Sequence, residues 1–125
     1  MKNNDILRRL RYTFNFGDEK MIELFAKGGL VVSRAEVSDY LKKEETESHK
    51  PLNDRVFAAF LNGFISNFRG AKEGPTPEPE KTLNNNIIFR KLKIALNFKD
   101  EYIITIYDLV AMRISKHELS AFFRN

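Results

Sequence analysis

A chain of 125 residues, 42% hydrophobic and 30% charged, has the balance of one ordinary globular domain or two very small ones. It contains no cysteine, which excludes a disulfide framework and thiolate metal sites. It also has no run of about 18 apolar residues, the least that a membrane span needs. The polar start Met1-Lys2-Asn3-Asn4-Asp5 is unlike a secretion signal. Together these features point to a cytoplasmic protein.

The net charge of +4 is unevenly placed. Residues 1–16 carry +3 and residues 83–99 carry +4, while every other segment is close to neutral. These two basic stretches are also related in sequence. Shifted by 82 positions, residues 3–43 lie over 85–125 without a gap, and 13 of the 41 positions are identical. An ungapped match of this length points to an internal duplication.

In chain order, the first expected helix starts with Asn4 as N-cap and Asp5 favourable to the helix dipole. Ile6, Leu7, Leu10 and Phe14 form its apolar face. Asn15-Phe16-Gly17 breaks it, and Asp18 caps a second helix through Met21, Ile22, Leu24 and Phe25, which Gly28-Gly29 stops. Ser33 and Glu36 form a capping box for a third helix that turns Val37, Tyr40 and Leu41 inward. A fourth begins at Pro51-Leu52-Asn53-Asp54 and carries Val56, Phe57, Phe60, Leu61, Phe64 and Phe68. Gly63 within it predicts a close helix–helix approach, since glycine there lowers helix propensity.

The stretch GAKEGPTPEPEKT reads as an extended, semi-rigid linker. After it the first helix recurs as NNNIIFRKLKIALNF, and the capping box as Ser115 and Glu118. The expected fold is all-α, with two tandem small helical units related by the 82-residue repeat. Residues 1–70 form a first, four-helical unit, 71–83 the Pro/Glu-rich linker and 84–125 a second unit lacking its last helix. The second unit includes the apolar helix EYIITIYDLV, so its surface at Ile104, Tyr107, Phe122 and Phe123 is expected to pack on the first unit or on another chain.

The stretches NNDILRRLRY, FLNGFISNFRG, PTPEPEKTLNNNIIFRKLKIAL and SKHELSAFFR resemble the YehS-like family of bacterial proteins of unknown function. The resemblance covers essentially the whole chain. It implies two copies of a short helical domain joined by a Pro/Glu linker, with the second copy's last helix missing here. It brings no catalytic or binding residue with it.

Three kinds of chemistry remain to be weighed. At about 100° per residue, Arg8, Arg11 and Tyr12 cluster opposite the apolar face, with Arg9 beside them; Arg90, Lys91 and Lys93 repeat the charges with Ile94 in place of the tyrosine. Such paired faces suit phosphate tracking, with Tyr12 available for stacking. The plain alternative is that these cations merely solvate the outer face of an amphipathic helix. A helix-turn-helix reading would place Arg34, Ser38, Lys42 and Lys43 on a reading helix, but Glu36, Asp39, Glu44, Glu45 and Glu47 there would repel a phosphate backbone.

For catalysis only His49 and His117 are at hand, both in polar settings, and the recurring Asp18-Glu19 and Asp100-Glu101 suit helix starts. No nucleophile, phosphate-loop or metal motif is present. The sequence therefore reads as a non-enzymatic binding or regulatory module with no cofactor, no metal and no small-molecule substrate. Its expected partner is RNA or DNA, on Arg8, Arg9, Arg11, Tyr12, Arg90, Lys91 and Lys93. The alternative is a protein partner or self-association through Ile104, Tyr107, Phe122 and Phe123.

Overall fold

A computed structural model describes residues 2–70 and 77–97, together with Asp108. Among these residues the regular elements are helices alone: α1 (Asn3–Phe14), α2 (Asp18–Lys27), α3 (Arg34–Leu41), α4 (Asp54–Arg69) and α5 (Asn85–Leu96). The all-α expectation holds. The second capping box, His117, the acidic pair Asp100-Glu101 and the helix EYIITIYDLV, apart from Asp108, lie outside the described residues.

The helix starts follow local chemistry, with two corrections. Lys2, not Asn4, is the N-cap of α1, and its backbone N–H donates to Asp5 Oδ2 at 2.8 Å. Asn4 lies inside the helix and is buried, because its amide is needed for a tertiary task. Its Nδ2 donates to the carbonyls of Tyr40 and Lys50, and its Oδ1 accepts from the Leu52 N–H. Asn3 beside it donates to the Leu52 carbonyl and to Asp54 Oδ1. The two asparagines thus fasten the loop between α3 and α4 to the start of α1.

Gly17, not Asp18, caps α2, and no side chain bonds the cap. Asp18 occupies the first turn, where its charge still favours the dipole. The Ser33–Glu36 box forms as expected, with both reciprocal bonds at 3.1 Å. Asn53 and Asn84 cap α4 and α5 by accepting from the N–H three residues on.

α4 is the centre of the fold, with α2 and α5 both packed on it. The close approach expected at Gly63 is real and reciprocal. A Cβ on Gly63 would lie 1.7 Å from the Leu24 carbonyl oxygen, and one on Gly28 would lie 1.6 Å from that of Ala59. Only hydrogen at both positions lets the α2 and α4 backbones touch. Around this crossing Phe25, Phe57, Phe60 and Phe64 are fully buried, with Phe25 and Phe60 centroids 5.1 Å apart. Burying each such ring contributes about 1.5–3 kcal/mol.

Ile88, Phe89, Leu92, Ala95 and Leu96 of α5 belong to the same core as Ile6, Leu7 and Leu10 of α1. The later part of the Pro/Glu stretch is more than a spacer. Leu83 packs against that core, and its N–H donates to Asp54 Oδ2 at 2.9 Å.

Candidate nucleic-acid interface

α1 and α5 are each 12 residues long, and each ends on an asparagine in the left-handed region, Asn15 at φ 54° and Asn97 at φ 50°. Asparagine tolerates this conformation better than other side chains that carry a Cβ. The two helices therefore present their basic residues at matching positions. What differs is what surrounds them.

On α1, Arg8 is half-buried and engaged internally. Its guanidinium pairs with Asp5 one turn back and donates to the Lys42 carbonyl at 2.9 Å, an oxygen that also lies 2.8 Å from His49 Nδ1. Arg11 is half-buried too, and its Nε has no hydrogen-bond partner among the described residues. Arg9 is exposed, and Tyr12 is 82% exposed. Asp5, Arg8, Arg9 and Tyr12 together line an open concavity of about 220 Å³. Every described phenylalanine, and Tyr40, is buried or half-buried, so Tyr12 is the one aromatic ring exposed among the described residues, alongside the exposed aliphatics Val31 and Ile94.

On α5 the pattern is inverted. Arg90 is exposed, whereas Lys91 is drawn inward: its side chain is only 12% exposed, its Nζ is 3.0 Å from Glu80 Oε1, and it donates to Asn62 Oδ1 of α4. Lys93 is half-buried, and Ile94 is 48% exposed where α1 has Tyr12. The structure thus gathers Arg8, Arg9 and Tyr12 around one concavity, and sets Arg90, Lys91 and Lys93 on α5, which packs against α4. Ile104, Tyr107, Phe122 and Phe123 lie outside the described residues.

Sequence reasoning missed Asp5, Glu80 and Asn62 as the groups that decide which cations are engaged. The Asp5–Arg8 pair was detectable at its i,i+3 spacing. Glu80 and Asn62 reach Lys91 only through tertiary packing.

The helix-turn-helix surface keeps its acidic neighbours. Lys42 Nζ is 2.9 Å from Asp39 and bonds Ser48 Oγ at 2.6 Å, and Arg34 is 3.7 Å from Glu19. Ser33 N–H donation holds the Glu36 carboxyl below its ordinary range, and the Lys2 ammonium does the same for Glu44. Among the described residues no three His, Cys, Asp or Glu side chains gather as metal ligands, and no helix is long and apolar enough to cross a membrane.

A family model described as "Protein of unknown function (DUF1456)" matches residues 3–70 and 85–125. The chain is 35% identical to the uncharacterized protein YehS of Escherichia coli (strain K12), across 99% of this chain and 80% of that protein. No solved structure matches.

Proposed function

Since the chain belongs to the DUF1456, YehS-like family, whose function is unknown, we propose that it is a non-enzymatic cytoplasmic module that binds single-stranded nucleic acid. The contacts assigned are Arg9 and Tyr12 on α1 and Arg90 on α5, the exposed members of the basic set. Arg8 and Lys91 are left out of this set because each is held by an internal carboxylate. The observation that carries the proposal is Tyr12. It is a large ring left 82% exposed next to an exposed arginine, at the mouth of an open concavity.

A base stacked on such a ring contributes about 1–3 kcal/mol whatever its identity, while Arg9 takes the adjoining phosphate. A duplex, with its bases already stacked, has no face to offer Tyr12. We further propose that α1 and α5 open two copies of one helical unit. Three features support this: the 82-residue offset, the matched helix lengths with their left-handed asparagine ends, and the family match on both stretches.

The test is fluorescence anisotropy with labelled single-stranded RNA and DNA at low salt. Tyr12→Ala is expected to weaken binding about tenfold without altering thermal stability, and Arg9→Glu with Arg90→Glu to abolish it. If the unmodified protein binds neither strand at low salt, the proposal fails.

A further inference from the structure

The Pro/Glu stretch offers its own anions to the cations of α4 and α5. Residues 77–83 run back over these helices as a strap with three attachments. Glu78 Oε1 is 3.9 Å from the Arg55 guanidinium, Glu80 Oε1 is 3.0 Å from Lys91 Nζ, and the Leu83 N–H bonds Asp54 Oδ2. Asp54 also accepts from Asn3 on its other oxygen, so the strap's end is fixed to the start of α1 through one carboxylate. Pro77 and Pro79 restrict φ on either side of Glu78. In an extended backbone two residues advance about 6 Å, which lets Glu78 and Glu80 reach different cations.

We infer that the 77–83 strap is an autoinhibitory segment whose Glu78 and Glu80 carboxylates occupy Arg55 and Lys91 in place of the phosphates of a single-stranded nucleic acid. The inference rests on the binding function proposed above. It explains why α5 keeps a lysine at 91, in register with Arg9, yet turns it inward. When the strap lifts, Lys91 joins Arg90 on the basic face of α5. Strap and strand compete for the same cations, so binding is weaker than the number of basic residues alone would give.

The experiment compares the full chain with Glu78→Gln/Glu80→Gln, titrating labelled single-stranded oligo-dT from low to moderate salt. Each phosphate neutralised on a single strand adds about 0.7 to the slope of log affinity against log salt. Two released cations therefore steepen the slope by about 1.4 and raise low-salt affinity by about three- to tenfold. Glu78→Gln alone, on an exposed pair, steepens it by about 0.7.

Thermal unfolding of the same proteins separates this role from a structural one. A lowered melting temperature with the slope unchanged means that the strap only braces the fold, and overturns the inference while leaving the binding function intact. Absence of binding by both proteins overturns the interface itself, and the inference with it.

Discussion

α1 and α5 have one register and two different environments. Both carry three cations at matching positions, yet α1 engages the first of them and exposes the second, while α5 exposes the first and engages the second. The asparagines that open them diverge in the same way. Asn4 is buried with one hydrogen bond to the end of α3 and two to the α3–α4 loop, whereas Asn86, its counterpart, is exposed. Equal sequence gives equal helices. Which side chains remain available for a ligand is decided by what packs alongside.

The largest loss is expected where α2 crosses α4, the helix on which α5 also packs. Gly63→Ala places a methyl group 1.7 Å from the Leu24 carbonyl, a backbone atom that cannot move without separating α2 from α4. The expected cost is at least about 3 kcal/mol, toward the upper end of overpacking effects. Chemical denaturation measures it, and a near-native midpoint would show that the crossing is loose.

Asn4→Ala leaves two carbonyls and a buried N–H short of partners, and is expected to cost about 2–3 kcal/mol. Asn86→Ala, at the same register of α5, is expected to stay within about 0.5 kcal/mol, as exposed sites usually do. Equal losses from the two variants would mean that α5 is clamped as α1 is.

The smallest effect concerns pH. Hydrogen bonding from Ser33 lowers the folded-state pKa of Glu36, so its contribution to stability is present above the unfolded value of about 4.3 and disappears as pH falls through the folded value. Melting temperatures measured down through this range should fall less steeply for Glu36→Gln than for the unmodified chain. Parallel curves would show that the box contributes nothing through its charge.

Much of this fold was legible because its signals are local. The capping box at Ser33, the apolar stripe of α4 and the breaks at Asn15 and Gly28-Gly29 each depend on residues within a few positions. Gly63 was legible for a related reason: a glycine in a helix interior is costly unless a neighbouring backbone comes close. Asn4 was misread because its amide suits a helix cap as well as a buried loop clamp, and its partners Tyr40, Lys50 and Leu52 are dozens of residues away. The candidate site was legible as a charge pattern only. Nothing local in RKLK indicates that Lys91 turns toward Asn62 and Glu80 while Arg90 faces water.

The central claim is that neighbours, not register, determine which cations meet the ligand. It is tested most directly by the salt dependence of binding to a labelled single-stranded oligonucleotide, compared for Arg90→Ala and Lys91→Ala. Arg90→Ala is expected to reduce the slope of log affinity against log salt by about 0.7, the loss of one phosphate contact, and Lys91→Ala to leave it unchanged. A Lys91→Ala slope reduced as much as that of Arg90→Ala would contradict the account.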